Sequence, residues 1–331
     1  MAIEMIKTGM LATIQDRGRF GYQKYGVNVN GAMDEGSARV ANLLVGNPED
    51  AAVLELTLSG AALRFTEDHL IAICGANMSP MMDQASLPMW QPIIVKKGSI
   101  LTFASYVSGC RVYVAMAGGI RVPLVLGSSS TNMRGQLGGF NGRSLHSGDI
   151  LEVGHVDEAS RSARLWKKLQ QSIGPTFNAK LFAMAPEEQV TIRFIPGPEY
   201  ELLTADSKQK WLNGTWRIDA QSDRMGYRLH GEMLELEGSK EMISEGTVHG
   251  LIQLPANGQP IVLLSDRQTT GGYPRIAFVA AVDIPMFGQL KPGDAIRFVP
   301  VTIDEAEHLL LEYEQDMAML KAAMMLKCSG A

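Results

Sequence analysis

"GSILTF", at residues 98–103, is a glycine turn followed by a strand-like run in which apolar and polar side chains alternate. The same pattern returns as "GDILEV" at 148–153 and as "GDAIRF" at 293–298. β-Barrels and sandwiches use such turn–strand units repeatedly to join neighbouring strands. Gly-Asp turns before strands also occur in many other folds, so the repeat alone does not establish two similar domains.

Further strand-like segments, rich in Val, Ile and Phe and bounded by turn residues, follow along the chain. They are "LIAICGA", "CRVYVAMAGG", "TIRFIPG", "PIVLLSD" and "RIAFVAAV". Helical patterns are few: one at 35–45 with Asp34 as N-cap, one at 159–171, and one that starts at a Thr302–Glu305 capping box. Closely spaced strands with few helices predict a mainly β protein built from barrel or sandwich domains.

A short motif, Asp-Arg followed closely by Gly-Tyr, occurs in both halves of the chain. It appears as "DRGRFGY" at 16–22, as "DRMGY" at 223–227 and as "DRQTTGGY" at 266–273. Between the halves, the polar stretch "HVDEASRSARLWKKLQQS" is typical of a connecting helix. We therefore predict an N-terminal domain with the connecting helix at 1–185 and a C-terminal domain with a terminal helix at 186–331.

Bulk composition narrows the class of protein. The 331 residues are 46% hydrophobic and 20% charged, which is ordinary for a globular enzyme or binding protein. A net charge of −5 argues against nucleic acid as the main partner, and the chain lacks an apolar run of 18 residues that would predict a membrane span. The N-terminus has no signal-peptide pattern, and the three cysteines are scattered and odd in number. These features predict a cytoplasmic protein.

Several familiar catalytic motifs are missing from the sequence. It contains no P-loop, no strand-coupled G-x-G-x-x-G, no H-E-x-x-H, no C-x-x-C, no G-x-S-x-G and no Met-Lys-Met biotin-attachment segment. A dedicated metal site is therefore not predicted. An active site in this chain would be of a less recognisable kind, or it would be shared with another chain.

Two glycine-containing loops of the N-terminal half concentrate charge. In the first, at 15–19, exposed backbone N–H groups and the guanidinium groups of Arg17 and Arg19 suit a phosphate or carboxylate, but Asp16 and Arg17 could equally fix a turn. The second, at 127–143, carries three serines and a run of glycines between Arg134 and Arg143. It suits phosphate binding or is simply a mobile surface loop.

Two more such loops lie in the C-terminal half. In "AQSDRMGYRLHG" at 220–231, Arg224 and Arg228 together with Tyr227 could orient a planar carboxylate-bearing substrate, although a structural Asp-Arg pair fits as well. "SDRQTTGGYPR" at 265–275 directly follows a strand and combines an acid, two arginines, an amide, two hydroxyls and a double glycine. That chemistry at the end of a strand favours a binding function.

Longer motifs resemble one family. They are "TIQDRGRFGYQKYGVNVNGAMDEGSARVANLLVGN", "GSSST…GGFNGRSLHSGD", "IPGPEY", "SDRMGYRLHG", "SEGTVHGLIQLPANGQPIVLLSDRQTTGGYPRIA" and "LKPGDAIRFVPV". Together and in this order they closely resemble the family of 5-oxoprolinase C subunits, also called the KipI antagonist or allophanate hydrolase subunit 2-like family. The resemblance spans nearly the whole chain. Related domains form part of the carboxyltransferase region of urea carboxylase.

The resemblance implies two tandem cyclophilin-like β-barrel domains with a few short helices and a C-terminal helix. It also implies an ATP-dependent 5-oxoprolinase that opens 5-oxo-L-proline to L-glutamate with two partner proteins, a KipI-like B component and a LamB/YcsF-type A component. ATP, with Mg²⁺, would then occupy a site shared with these partners. Two other roles stay open: a regulatory antagonist that binds a KipI-like inhibitor of a sporulation histidine kinase, and a component that acts on allophanate or urea.

The resemblance and the loops together predict two sets of site residues. Acid, base or orienting roles are predicted for Asp266, Glu55 and Asp16. Binding of substrate or ATP is predicted for Gln15, Arg17, Arg19, Arg134, Arg143, Arg224, Tyr227, Arg267, Gln268, Thr269, Thr270, Gly271, Gly272 and Tyr273. Asp34, by contrast, is predicted to be a helix cap, and Glu55 lies inside a strand-like run.

Overall fold

The structure, a computed structural model, describes residues 1–171, 178–183, 189–238 and 242–329. The chain divides into two compact units. The first comprises Met1–Arg19, Asn30–Ala185 and Gln315–Ala331, and the second comprises Phe20–Val29 and Pro186–Glu314. The predicted boundary at residue 185 falls in a stretch outside the described residues. No helix in the described ranges is long and apolar enough to cross a membrane.

The first unit is built from two antiparallel sheets. Its strands are β1 (Ala2–Thr8), β2 (Leu11–Gln15), β3 (Val53–Thr57), β4 (Ala61–Phe65), β5 (His69–Asn77), β6 (Pro80–Met82), β7 (Ala85–Ser86), β8 (Pro92–Val95), β9 (Ile100–Phe103), β10 (Ser108–Met116) and β11 (Ile150–Glu152). One sheet has the order β11-β1-β4-β9-β6-β7, and the other has the order β2-β3-β10-β5-β8.

Alternation of side chains along the strands builds the core of the first unit. In β1, Ile3 and Met5 are fully buried while their neighbours are only partly covered, as expected when successive side chains point to opposite faces. Leu63 and Phe65 of β4 and Leu54 of β3 belong to the same apolar cluster. Because both sheets contribute to this cluster, each of them buries one face in a shared core.

The other face of the second sheet is covered as well. All of β3 is buried, and helix α1 (Glu35–Leu44) packs against β5 and β10. Asp34 is the N-cap of α1, where its carboxylate accepts from the backbone N–H of Ser37 at 2.9 Å. The same unit contains α2 (Arg161–Gln171). The predictions of a cap at Asp34 and of the first two helices are confirmed.

The second unit contains a closed barrel. Its strands are β12 (Gln189–Pro196), β13 (Trp216–Ile218), β14 (Gly226–His230), β15 (Glu245–Gly246), β16 (Leu251–Gln253), β17 (Ile261–Leu263), β18 (Thr270–Gly271), β19 (Arg275–Val279) and β20 (Ala295–Pro300). The barrel has the order β12-β19-β16-β17-β14-β13-β20 and closes by the parallel pairing of β12 with β20. Strands β15 and β18 form a separate two-stranded sheet.

Aromatic side chains form part of the core of the second unit. Trp211 of helix α3 (Ala205–Asn213) stacks on Phe298 with a centroid distance of 4.0 Å and meets Phe194 edge-on at 5.6 Å. The unit also contains the short α4 (Ile284–Gln289), and α5 (Ile303–Ser329) ends the chain. The capping box predicted at the start of α5 is confirmed, because Thr302 and Glu305 each accept from the other's backbone N–H.

The structure confirms a mainly β protein with few helices and a C-terminal helix. Each of the three turn–strand units forms a strand, namely β9, β11 and β20. The glycine before each strand has a positive φ, 84° at Gly98, 89° at Gly148 and 90° at Gly293, a conformation that side-chain-bearing residues rarely adopt. The glycines therefore set the turns, as the sequence pattern predicts.

Candidate functional site

The loop at 265–273 of the second unit carries most of the predicted binding residues, and a distant segment of sequence holds it in place. The side chain of Asn28 donates to two consecutive loop carbonyls, at 2.9 and 2.5 Å. The side chain of Gln23 donates to a third, that of Thr269, at 3.2 Å. Because these donors satisfy its carbonyl groups, the loop has a defined conformation in which its side chains are positioned by the fold.

Asp266 and Arg224 form a partly buried ion pair at the start of this loop. Arg224 Nε donates to Asp266 Oδ2 at 2.9 Å, and a second guanidinium nitrogen donates to Oδ1 at 3.1 Å. The backbone N–H of Asp266 also donates to the carbonyl of Arg224 at 2.8 Å. This two-pronged geometry fixes the planes of both groups. The Asp-Arg pair considered from the sequence therefore exists, and its acid is Asp266.

Arg267 is buried without a carboxylate beside it. Its side chain is 8% exposed, and its Nε atom has no hydrogen-bond partner. A guanidinium nitrogen makes one long contact, of 3.4 Å, to the carbonyl of Leu264. Loss of water around the group lowers the pKa of Arg267 to about 10, so it stays a cation at neutral pH. This is a desolvated positive charge that a bound anion would neutralise.

His249 lies close enough to this ion pair and to Arg267 to respond to their charges. The residue is partly exposed, but its Nε2 atom is buried and has no hydrogen-bond partner. Burial first, and then the positive charges of Arg267 and Arg224, lower the pKa of His249 to about 3. The imidazole is therefore neutral at physiological pH.

The remainder of the loop bonds to the segment at 245–247. Thr270 and Gly271 pair with Glu245 and Gly246, and the hydroxyl of Thr247 donates to the carbonyl of Gln268. Gly271 lies directly over Gln253, since a Cβ at Gly271 would come within 2.6 Å of Gln253 Nε2. That nitrogen is buried and unpartnered. Gly272 and Tyr273 are exposed, the latter by 50%.

Tyr227 belongs to the barrel interior and not to a ligand surface. Its side chain is 3% exposed, its hydroxyl donates to the carbonyl of Leu290 at 3.0 Å, and its ring meets that of Phe287 edge-on. The hydroxyl of Tyr227 thus bonds to the backbone and its ring packs in the core, and a role in orienting a substrate stays a prediction.

In the first unit, Asp16 organises the serine loop. Its carboxylate accepts from the hydroxyls of Ser128 and Ser130 at 2.7 and 2.5 Å and from the backbone N–H groups of Gly18 and Ser129 at 2.8 and 2.5 Å. Each carboxylate oxygen is thus occupied by protein donors. The sequence left open whether the loop at 15–19 binds an anion or only forms a turn. The carboxylate of Asp16 is used to fix the turn.

Arg19 is also an interior residue. Its side chain has no exposed surface, and it donates to the carbonyl of Val125 at 2.8 Å, to the carbonyl of Ser130 at 2.8 Å and to Asn30 Oδ1 at 3.1 Å. A dissolved anion cannot reach it in this conformation. The guanidinium of Arg19 therefore crosslinks loop backbone, and binding of an anionic group by Arg19 stays a prediction.

Arg17, by contrast, is exposed, and its Nε donates to Glu35 Oε1 at 2.7 Å. It lines a shallow cavity of about 310 Å³ together with Glu49, Arg161 and Lys321. Both acids and bases line this cavity, and Lys321 pairs with Glu49 at 2.9 Å, so its charge is largely compensated. Arg17 is the one cation of the first loop that can meet another molecule.

The remaining arginines of the first unit differ in exposure. Arg134 is exposed. Arg143 pairs with Asp149 through two bonds of 2.7 and 2.9 Å and lies over the ring of Phe140 at 4.9 Å. The hydrogen bonds from Arg143 lower the pKa of Asp149. This pair closes the turn before β11.

Glu55 and Gln15 lie on the covered face of the second sheet. Glu55 Oε2 accepts from the Tyr113 hydroxyl at 2.8 Å and from the backbone N–H of Met33 at 2.9 Å. Burial, followed by the charges of Glu55 and Asp34, raises the pKa of Tyr113 well above its usual range. Gln15 donates to Thr13 at 3.1 Å, while its Oε1 is buried and unpartnered. The side chains of Glu55, Gln15 and Tyr113 are all buried.

Comparison with known proteins identifies the chain. A family model described as "Carboxyltransferase domain, subdomain A and B" matches residues 25–300, which is most of the sequence. The chain belongs to this family.

Relatives of this carboxyltransferase-domain chain fall into two groups. The C subunit of Escherichia coli 5-oxoprolinase is 38% identical over 304 residues, which cover 92% of this chain and 93% of the relative. The urea amidolyase of Saccharomyces cerevisiae is 32% identical over 330 residues, covering 96% of this chain but 17% of the relative. The chain is thus nearly coextensive with the bacterial relative and spans about a sixth of the fungal one.

A solved structure shares the fold of this chain. The crystal structure of Kluyveromyces lactis urea carboxylase matches with a TM-score of 0.86 and 30% identity, over 96% of this chain and 29% of that chain. The family resemblance and the mainly β fold class predicted from the sequence are confirmed.

The fold of this carboxyltransferase-domain chain brings some predicted residues together. In the second unit, Arg224, Asp266 and the loop at 265–273 form one region, which His249 joins. The sequence analysis missed His249, which lies within the quoted motif at 244–277 without any spacing that marks it. Among the described residues, no group of three or more His, Cys, Asp or Glu side chains is placed to hold a metal ion.

Proposed function

We propose that this chain is the C component of an ATP-dependent 5-oxoprolinase, which opens 5-oxo-L-proline to L-glutamate with a KipI-like B component and a LamB/YcsF-type A component. The observation that carries the proposal is the match to the C subunit of E. coli 5-oxoprolinase, at 38% identity. The alignment extends over 92% of this chain and 93% of the relative, so the likeness concerns the whole relative and not one domain of it.

The chemistry explains why ATP is needed. Water opens an unstrained lactam reluctantly, because the amide is stabilised by resonance. Transfer of the γ-phosphoryl group of ATP to the lactam oxygen releases ADP and makes the ring carbon electrophilic. Water adds to that carbon, the ring nitrogen leaves as the amine, and a second water releases phosphate from the acyl phosphate to give glutamate. Atoms balance with one ATP and two waters consumed.

Anionic groups accompany every step of this reaction. Among the predicted binding residues of the second unit, Arg267 offers a buried guanidinium with an unpartnered Nε, which suits a single anionic group. A nucleoside triphosphate carries several negative charges and requires more cations or N–H groups than the side chain of Arg267 provides. We therefore propose that ATP, with Mg²⁺, is held in a site to which the partner proteins contribute.

Reconstitution tests the proposed function. Purified chain is mixed with the A and B components, and glutamate release from 5-oxo-L-proline and ATP is measured, with the E. coli proteins as the positive reference. We expect glutamate and ADP to form in equal amounts, and only when all three proteins are present. Failure of this mixture to release glutamate, while the E. coli mixture does so, refutes the function.

A second candidate is a carboxyltransferase role with urea or allophanate. The observation in its favour is the fold match to K. lactis urea carboxylase, with a TM-score of 0.86. That role needs a biotin carboxylase and a carrier from other polypeptides, since the chain spans 29% of that structure. Biotin-dependent carboxylation of urea in a mixture containing this chain would favour it. Binding of a KipI-like kinase inhibitor stays a prediction compatible with either activity.

A further inference from the structure

We propose that a cavity of the first unit binds the adenosine end of ATP, so that this chain holds the nucleotide by its base. The cavity has a volume of about 580 Å³ and lies where β5 ends and β6 begins, with Asn77 and Pro80 in its wall. Residues at 86–90, at 108 and between 178 and 183 line it as well. The proposal rests on the proposed 5-oxoprolinase function and assigns to this chain one part of the nucleotide site.

The first support is the apolar wall of the cavity, which suits the faces of a flat ring. It is formed by Pro80, Leu87, Pro88, Met89 and Trp90. Leu87 and Met89 are only partly buried, so a ligand in the cavity would cover apolar surface that is now open to water. A methionine sulfur also makes favourable contacts with aromatic rings. A purine base is a ring of this kind.

The second support is a hydrogen-bond donor without a partner. Trp90 lines the cavity although only 4% of its surface is exposed, and its indole N–H donates no hydrogen bond to a described residue. Whereas the indole nitrogen of Trp211 is enclosed by protein, that of Trp90 keeps accessible surface. Buried tryptophan N–H groups usually find an acceptor. A ring nitrogen of adenine in the cavity can accept from this one.

The third support is the backbone that presents this indole. Trp90 has a φ of 61° and Ser79, which also lines the cavity, has a φ of 48°. Residues other than glycine rarely adopt this left-handed conformation. Two bonds hold Trp90 in it, because its N–H donates to the carbonyl of Ile73 at 2.8 Å and its carbonyl accepts from the N–H of Ala179 at 2.8 Å. Such conformations cost free energy and are concentrated at functional sites.

The fourth support is the polarity of the lining. Lys180 is exposed and forms no ion pair with another described residue, and none of the described residues that line the cavity is acidic. Asn77 Oδ1 accepts from the backbone N–H of Ser79 at 3.0 Å, which leaves the amide nitrogen of Asn77 as a donor. The cavity therefore offers donors and one positive charge, so it suits a negatively charged ligand that is rich in acceptors.

Size and charge together select ATP among the molecules of the proposed reaction. Cavities that bind small molecules measure about 300–1,000 Å³, and this cavity lies within that range. 5-Oxoproline and glutamate lack a broad flat ring and would leave most of the cavity empty. ATP combines an acceptor-rich base with negative charge. Because Lys180 is the one charged group among the described lining residues, it can meet only part of the triphosphate, and the partner proteins would supply the rest.

Calorimetric titration of the full chain, without its partners, tests the assignment. The ligands are AMP, adenosine, ribose 5-phosphate, 5-oxo-L-proline and biotin. AMP should bind about tenfold more tightly than ribose 5-phosphate, because packing of a base against apolar and aromatic side chains contributes at least that much. 5-Oxo-L-proline and biotin should bind more weakly than AMP. This ligand series uses the unaltered protein, so it does not depend on the folding of a variant.

Variants of the cavity residues locate the site. Trp90→Phe keeps an aromatic ring but removes the indole N–H, and it should weaken AMP binding about tenfold. Lys180→Gln should also weaken AMP binding about tenfold but leave adenosine binding unchanged, since adenosine carries no phosphate. The matched control is Lys97→Gln, which removes an exposed lysine of the same unit outside the cavity and should leave both affinities unchanged. Circular dichroism confirms that each variant is folded.

Each result separates this proposal from the proposed function. No AMP binding by the full chain, equal affinity for AMP and ribose 5-phosphate, or AMP binding that neither Trp90→Phe nor Lys180→Gln weakens overturns the proposed site. Tighter binding of biotin than of AMP overturns it too and favours the second candidate function. If the three-protein mixture releases glutamate while this chain binds no AMP, the enzyme function stands and the site falls. If the chain binds AMP through Trp90 and Lys180 but the mixture is inactive, the reverse holds.

Discussion

The neutral state of His249 makes a quantitative prediction about acid stability. Burial and the nearby guanidinium groups of Arg267 and Arg224 lower its pKa from 6.5 to about 3. In the unfolded chain the ring regains its ordinary pKa. Between about pH 6.5 and 3 the unfolded state therefore binds a proton that the folded state does not. The free energy of unfolding consequently falls as the pH is lowered through this window, and the contribution is level again below it.

The size of the effect follows from the two pKa values. At about pH 5, roughly 1.5 units below the ordinary pKa of 6.5, protonation of His249 stabilises the unfolded state by about 2 kcal/mol. Replacing His249 with Gln removes the titrating group. The loss of stability between about pH 7 and about pH 5 should then be about 2 kcal/mol smaller in the variant than in the natural protein.

Urea unfolding at the two pH values, followed by tryptophan fluorescence, measures this difference. Trp211 and Trp216 are fully buried in the second unit, so their emission reports on its unfolding. The matched control is His230→Gln, because His230 is exposed on β14 of the same unit and its removal should leave the pH dependence unchanged. An equal loss of stability on acidification in the natural protein and in His249→Gln refutes the reasoning.

Three further predictions concern the first unit and the last helix. Asp16→Ala removes the acceptor of four hydrogen bonds, so the unfolding free energy should fall by about 3 kcal/mol in urea denaturation; an unchanged midpoint would contradict its structural role. Arg17→Ala removes only an exposed pair with Glu35, so stability should change by less than about 1 kcal/mol while glutamate release by the assembled enzyme drops. Unfolding of that variant, or full activity, counts against a binding role. Thr302→Ala removes the capping box of α5 and should cost about 1 kcal/mol by calorimetry, whereas Thr302→Ser should retain it.

The sequence by itself predicted the features that depend on a few neighbouring residues. Gly98 and Gly293 mark turns because only glycine adopts their positive φ without strain, and each feeds a strand whose alternation is visible in the sequence. Asp34 and Thr302 mark helix starts because a side-chain oxygen there satisfies N–H groups within one turn. The strand-rich pattern of such local signals was sufficient for the fold class.

The chemistry of the charged residues was decided only by the tertiary structure. Sequence could not show that Asp266 pairs with Arg224, 42 positions away, or that Arg19 is fully buried. Both depend on strand register and on which loops meet, which are properties of the whole barrel or sheet. For the same reason, the sequence does not distinguish a solvated arginine from Arg267, whose charge is desolvated and unpaired. Water and neighbouring charge determine the role of an ionisable group, and the fold determines both.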